Sequence, residues 1–351
     1  MITLKDVAQE SGVSPATVSQ VFGKRSHLFS QEVREKVFQA AERLGYRKNT
    51  GAVSLVTGKT NTICIVHSEL WNLASSVYSD LFFGLSKSGA AFKQQISFLC
   101  LPSEDFFKSP EYKRLLMEQF CDGVIFNTVF SEEECCRVES DLKKVSLPML
   151  WLNRKIKFNS IYPDEESAAN SLAEKLRKNG HEKILYVGVE RATHYSAEVR
   201  HLALKETFLK MGGKQFLAID RWETQGNLLN LLKAFFHAPQ GTTAVVLYAD
   251  SLIPQMFQTA GECGVFFSRR YSWAVFDAPV HRLGRSGRLS YDAAAPSMLE
   301  LGSAALERIL ERIQLGGQDL PSLTIPPTIH NGNSIENINR KGACHADSPE
   351  K

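Results

Sequence analysis

The sequence has no run of about 18 apolar residues, the length a membrane-spanning helix needs, so no transmembrane helix is expected. Its first residues, Met1-Ile2-Thr3-Leu4-Lys5-Asp6, carry no basic cluster and no apolar stretch, and no secretory leader is expected. The seven Cys stand at 64, 100, 121, 135, 136, 263 and 344 without a CxxC pair. That pattern predicts reduced thiols in a cytoplasmic protein, mostly buried as small hydrophobes, rather than a disulfide framework. Motifs of enzyme chemistry are missing too. There is no HExxH among the nine His, no zinc-spaced His-Cys cluster, no GxSxG, and no GxGxxG after a strand. Gly58-Lys59-Thr60 ends like a phosphate loop, but Val53 stands where that loop needs its earlier glycine. Asp164-Glu165-Glu166 reads as the start of a helix, where carboxylates favour the positive end of the dipole. No metal, no cofactor and no enzyme activity are expected.

The chain does not lack the means to fold. Its 351 residues are 43% apolar and 23% charged, an ordinary globular balance. At roughly 100–200 residues per domain, two or three domains are expected. A net charge of +3 looks bland until it is divided. Residues 1–60 hold nine Lys/Arg against five acids, and the remainder holds 32 against 33. A basic head on a neutral body suggests a polyanion partner for the head alone, against the plainer reading of a solvated surface.

Local signals in the head predict three helices. Thr3 with Asp6 forms a capping-box pattern, and Gly12 offers a left-handed stop. Ser14-Pro15 starts a second helix after a turn of about four residues, and Ser30 starts a third that Gly45 ends. Val7, Ala8, Val13, Val18, Val21 and Phe22 supply the contacts between the first two. The second helix then presents Pro15, Ala16, Thr17, Ser19 and Gln20 outward. Small side chains beside one amide suit a major groove. Gln bonds adenine in two places, Ala or Pro meets a thymine methyl, and hydroxyls reach phosphate oxygens.

Thr3-Leu4-Lys5-Asp6-Val7-Ala8, Gly12-Val13-Ser14-Pro15-Ala16-Thr17-Val18-Ser19 and Ala41-Glu42-Arg43-Leu44-Gly45-Tyr46 closely resemble the headpiece of the lactose-repressor (LacI/GalR) family of bacterial transcriptional regulators. The likeness continues through Asn49, Ala52 and Leu55 to Thr60-Asn61-Thr62-Ile63. In that family this segment is a hinge helix whose leucine, here Leu55, wedges into the minor groove. Thr50, Gly51, Val53 and Thr57 are poor helix formers, so the segment is expected to be unstructured without DNA. Lys48 stands where the family usually has Pro, Val53 where it has Arg, Gly23 where it has Asn, and Gln20 replaces a common Arg. Lys48 is assigned a phosphate contact, and the operator sequence is expected to differ from the family average.

The body alternates strand-like and helix-like segments. Strands are expected at 63–67, 96–100, 124–127, 148–152, 184–189, 216–219, 244–247 and 273–276. About 275 residues of this kind imply two α/β lobes with parallel sheets. The body also resembles the family's effector-binding core, which has the fold of periplasmic sugar-binding proteins. The matching pieces include Cys121-Asp122-Gly123, Gly180-His181-Glu182-Lys183-Ile184 and Phe276-Asp277. The expected architecture is an all-α helix-turn-helix headpiece (1–48), a hinge helix and linker (49–61), a two-lobed effector-binding and dimerisation core (62–335) and a disordered tail (336–351).

The resemblance implies effector contacts at Tyr78, Asn153, Asp164, Arg200, Trp222, Asp250 and Asp277. Ala249 departs from the family's Asn before Asp250, and 291–296 lacks its Gln before Pro. An aromatic face beside Asp, Asn and Arg suits a polyol. Trp222 is read either as a stacking surface or as core. Arg200 is read either as an effector clamp or as a surface ion pair with Glu198 or Glu206. The resemblance implies a cytoplasmic homodimeric repressor reading a palindromic operator under control of a small-molecule effector, a sugar or, against Tyr78, a nucleobase. The competing class is a sugar-binding protein or sugar-modifying enzyme with an unrelated basic head.

Overall fold

The computed structural model describes residues 2–23, 25–68, 76–102, 104–128, 130–189, 194–222, 224–277 and 291–338, the side chains of Thr50, Ser76, Val77, Tyr78 and Gln225 excepted. The chain divides into two compact units, Met1–Thr60 and Asn61–Lys351.

The first unit is helical. Helices α1 (Leu4–Ser11), α2 (Pro15–Val21), α3 (Gln31–Leu44) and α4 (Thr50–Thr57) are joined by short turns. Thr3 and Asp6 close the capping box, and Gly12 and Gly45 end α1 and α3 at φ of 70° and 64°. Val7, Ala8, Val18, Val21, Val37, Ala40 and Ala41 form the core, with Phe22 set edge-on to Phe38. Helix α4 corrects an expectation: residues read as unstructured without DNA are helical. Asn49 caps it through a 3.1 Å bond from the Ala52 N–H, and Gly58 closes it at φ 66°. None of its described side chains is buried, so these end contacts, not packing, hold it.

The second unit contains two six-stranded sheets. The first lobe has β1 (Thr62–Ser68), β2 (Gln95–Leu101), β3 (Gly123–Asn127), β4 (Met149–Leu152) and β5 (Ser160–Pro163). The second has β6 (Lys183–Val187), β7 (Gln215–Ile219), β8 (Ala244–Leu247), β9 (Ser272–Phe276) and β10 (Asp292–Pro296). Each sheet gains an edge strand from the end of the chain: β11 (Leu323–Ile325) beside β5, and β12 (Pro327–His330) beside β10. Among the strands of the described residues only the β10–β12 pair is antiparallel. All eight expected strands are present, within one or two residues at each end. The four others, β5, β10, β11 and β12, were not expected.

Helices cover both faces of each sheet, which is why the strands read as unbroken apolar runs. In the first lobe, Ile63, Ile65, Ile125 and Leu150 pack against α5 (Ser76–Ala91) and the last helix, which spans Met298–Gln314. Cys64, Val66, Val124 and Phe126 face α6 (Pro110–Met117) and α7 (Glu132–Lys144). In the second lobe, Ile184, Tyr186 and Phe276 face α8 (Glu165–Lys178) and α9 (Tyr195–Lys210). Leu185, Val245 and Val275 face α10 (Gln225–His237) and α11 (Ile253–Glu262). A short helix, α12 (Phe267–Arg270), precedes β9, which makes the last helix α13.

The chain passes between lobes three times: from β5 to α8, from β10 to α13, and from β11 to β12. Asp164 sits in the first crossing and donates its N–H to the Ile325 carbonyl of the third, at 2.8 Å. The ordered chain runs past the expected end of the core. Glu336 donates its N–H to Ser272 Oγ and Ile338 to the Asn179 carbonyl, so the start of the expected tail is tied down. Residues 339–351 lie outside the described residues.

Candidate functional site

Helix α2 is held by one buried face and one cap. Ser14 Oγ accepts the Thr17 N–H at 3.0 Å, and Pro15 fills a first-turn position where no N–H is needed. Val18 and Val21 point into the core. The opposite face leaves Pro15, Ala16 and Ser19 exposed, with Thr17 and Gln20 half-buried beside them. Part of the Thr17 hydroxyl's capacity is spent on the cap, 2.9 Å from Ser14 Oγ. At the start of α1, the Thr3 N–H and hydroxyl both donate to Asp6, at 2.7 and 2.8 Å. The backbone bond from Thr3 holds the Asp6 carboxyl below its usual range. Lys48, expected at a phosphate, also spans back to the Phe22 carbonyl at the end of α2, 3.2 Å away. On α4, Asn49 is a cap, Ala52 is exposed, and Leu55 and Val56 are 89% and 88% exposed. Two adjacent bare aliphatic side chains on a helix without a buried face are suited to an apolar partner surface.

In the second unit, Arg200 lies at the centre of a buried cluster. The side chain is 2% exposed, which excludes the surface pair with Glu198 or Glu206. It donates instead to both Glu165 oxygens, at 2.6 and 2.8 Å, and to both Asp277 oxygens, at 2.7 and 2.8 Å. A bond to the Tyr248 carbonyl at 2.9 Å occupies the fifth guanidinium donor. Burial disfavours the Arg200 charge, but Asp277 and Glu165 outweigh it and raise its pKa. Burial pushes the Glu165 carboxyl up, against the pull of Arg200. The Arg200 donors are therefore all engaged within the protein, while Asp277, 17% exposed, keeps acceptor capacity. Asp277 follows β9 at φ 57°, and Asn153 follows β4 at φ 59°. Both stand at the carboxyl ends of parallel strands, where α/β sheets bind ligands.

A hydrogen-bond chain joins the lobes at Asn153. The Asn153 carbonyl faces His194 Nε2 at 2.8 Å, and a carbonyl only accepts, so Nε2 carries the proton. His194 Nδ1 then accepts from Ser196 Oγ at 2.7 Å, and Ser196 accepts from the Tyr248 hydroxyl at 2.7 Å. Burial lowers the His194 pKa and keeps the ring neutral. The Asn153 side-chain oxygen is buried without a partner among the described residues, as are Asn127 Nδ2 and Thr128 Oγ1 at the end of β3.

The structure does not gather all the expected residues. Asp164 caps α8 with both carboxylate oxygens, on the Ser167 N–H and hydroxyl at 3.0 and 2.7 Å. Asp250 opens a short 3₁₀ turn, Asp250–Leu252, after β8. Trp222 is 9% exposed and packs with Leu228 and Leu232, so it is part of the core. One edge of it lines a cavity of about 570 Å³ that includes none of the other expected contacts. Tyr78 lies on α5, and its side chain falls outside the described residues. Sequence reasoning missed Glu165, Tyr248, Ser196 and His194. Glu165 was assigned to the helix dipole because nothing local marks a partner 35 residues away.

The model of the "Bacterial regulatory proteins, lacI family" matches residues 3–49, the capped helices described above. The chain is 26% identical to the maltose regulon regulatory protein MalI of Escherichia coli K12, covering 93% of this chain and 96% of that one. It is 24% identical to the probable HTH-type transcriptional regulator EndR of Paenibacillus polymyxa, over 96% and 99%. Among solved structures, a lac repressor dimer bound to operator and the anti-inducer ONPF aligns with a TM-score of 0.78 at 20% identity, over 95% of this chain and 99% of that one. The last likeness shows the fold, and the first spans α1 to α3. Headpiece and full-length relatives agree: residues 3–49 match the lacI family of bacterial regulatory proteins, and the chain is similar to these regulators over nearly its whole length.

Proposed function

We propose that this chain is a cytoplasmic transcriptional repressor that binds a palindromic operator as a homodimer and responds to a sugar or related polyhydroxylated effector. The carrying observation is the outward face of α2, with Pro15, Ala16 and Ser19 exposed on a helix whose other face is locked in the core. In this reading residues 1–48 read the major groove and 49–61 form the hinge. Residues 62–335 bind effector and dimerise through helices near 78–89 and 252–264. Thr3, Ser14, Pro15, Ala16, Thr17, Ser19, Gln20, Lys48, Asn49 and Ala52 contact the half-site. One headpiece covers one half-site, and a two-fold protein matches a two-fold site.

Leu55 enters the central minor-groove step, where an apolar wedge unstacks and kinks the duplex. Its 89% exposure fits a side chain whose partner is DNA. The effector reading draws on the unpartnered buried atoms of Asn127, Thr128 and Asn153 and on the acceptor capacity of Asp277. Arg200 acts there as a positioning residue for Asp277. The relative MalI carries the maltose regulon in its name, and a neighbour of the same fold, CelR, is described as a cellobiose complex, which supports a sugar as the effector class.

The test is selection of a bound duplex from a random library by the full chain, followed by affinity measurement on the selected site. A two-fold symmetric sequence is expected. Leu55→Ala should weaken that site at least tenfold while leaving melting temperature within about 2 °C, because the side chain is exposed. Equal operator affinity for the variant would remove the hinge assignment.

A further inference from the structure

Helix α2 ends at Phe22, and the segment that leads into α4 holds that residue by its ring and by its carbonyl. Phe22 is the C-terminal cap of α2, at φ −77° and ψ −4°. Its ring meets Phe38 of α3 edge-on, with centroids 5.4 Å apart, and Tyr46 at 5.6 Å. Its carbonyl accepts from Lys48 Nζ at 3.2 Å. Tyr46 and Lys48 belong to the short run 46–48 between Gly45, where α3 stops, and Asn49, which caps α4.

The Lys48 bond has a physical reason. The last carbonyls of a helix have no N–H partner within it, and they carry the negative end of its dipole. A cation in the last turn answers both, and α2 has no basic residue there. Lys48 supplies that cation from 26 residues further along the chain. It stands where the resembling family usually has Pro, which has no side-chain donor, so the tie belongs to this sequence. The next residue, Asn49, accepts the Ala52 N–H at 3.1 Å and opens α4. The end of α2 and the start of α4 are thus joined through one side chain and the residue beside it.

We propose that Lys48 is a positioning residue: it ties the end of α2 to the start of α4, so that the two helices meet a duplex as one body with a set separation. The role rests on operator binding as proposed above, and it gives Lys48 more than a phosphate contact. An ammonium has three donors. One is on the Phe22 carbonyl, and the others remain for a phosphate oxygen. With α2 on a half-site and α4 at the centre, the joint at 46–48 sets how far the half-site stands from the centre. A phosphate contact alone strengthens binding to every duplex alike, because it carries no sequence information. A tie makes binding depend on spacing.

The experiment measures the affinity of the full chain for the duplex it selects from a random library and for two versions with one base pair added to or removed from the centre. Lys48→Met keeps the stem and removes the donors, Lys48→Arg keeps a donor for the carbonyl, and Arg47→Met controls for charge alone. Lys48 is exposed, so none of its changes opens a gap in the core. Lys48→Met should lose about threefold or more of the preference for the selected spacing, the size of effect a cation has at a helix end. Lys48→Arg should restore the preference, and Arg47→Met should weaken all three duplexes by the same factor. In the free protein, hydrogen–deuterium exchange at residues 19–23 should be faster in Lys48→Met, because the end of α2 frays. An equal loss on all three duplexes in Lys48→Met, or no loss, overturns the proposal. Faster exchange with an unchanged spacing preference would make Lys48 a cap of α2 alone and overturns it too. If the chain selects no duplex, operator binding itself falls and this role falls with it.

Discussion

Arg200 is the residue on which the second lobe depends most. It pairs with two carboxylates, and one of them, Glu165, is as deeply buried as Arg200 itself. Arg200→Ala leaves Glu165 and Asp277 facing each other without a cation and should cost about 3–5 kcal/mol of stability in urea unfolding. A loss under about 1 kcal/mol would mean that the cluster is not held as described. His181 gives a second residue-scale test. It is fully buried with Nδ1 2.9 Å from Thr243 Oγ1, and burial pushes its pKa down to about 4. The unfolded chain takes up that proton below about pH 6.5 and the native chain does not, so stability falls as pH drops through this window. The expected loss between pH 7.5 and 5 is about 2 kcal/mol, and His181→Gln should flatten it. Parallel pH profiles for the two proteins would discard the assignment. Arg200 and Asp277 were legible from the family pattern, but their partner was not, because burial of Glu165 depends on the packing of α8 against α9. Trp222 admitted two readings from sequence, and the structure gives it both a core face and a cavity edge.

At the scale of elements, α5 and α13 make an unusually close contact. A Cβ on Gly84 would stand 2.2 Å from the Leu299 carbonyl oxygen, and one on Gly302 would stand 2.2 Å from that of Leu81. Each helix thus approaches the other's backbone at a glycine. Gly84→Ala, normally favourable in a helix, should here destabilise the fold by about 1–3 kcal/mol through overpacking. Melting temperature reads this directly, and an unchanged or higher value would contradict the packing. Of the eight strands legible in the sequence, six are apolar runs buried on both faces, β1, β3 and β8 among them, while the edge strands β2 and β7 are partly exposed. Those missed carry weak signals: β10 is Asp-Ala-Ala-Ala-Pro, β5 ends in proline and β12 begins with one. Alanine and proline do not mark strands, and these segments are strands because a neighbour pairs with them. The starts of α1, α2 and α3 and the ends of α1 and α3 were legible because caps are local. For the same reason α4 was misread, since propensity weighed against it while Asn49 and Gly58 favour it.

At the scale of the molecule, the organisation is a division of charge. The unit Met1–Thr60 holds the basic excess and the exposed face of α2, and the remainder is neutral and carries the two sheets. No helix among the described residues is long and apolar enough to cross a membrane, and no group of three or more His, Cys, Asp or Glu there is placed to hold a metal ion. Effector control requires only that the arrangements of the second unit differ in ligand affinity, and the three crossings and the His194–Asn153 bond are where two arrangements would differ. In the function proposed above, the basic unit binds duplex DNA through phosphate and groove contacts. Affinity of the full chain for its selected operator, measured by fluorescence anisotropy from 50 to 300 mM salt, tests it most directly. Displacement of counterions by several Lys and Arg predicts a linear log–log plot in which affinity falls by roughly 10³-fold or more. A flat plot, or equal affinity for selected and scrambled duplexes at every salt concentration, would contradict it.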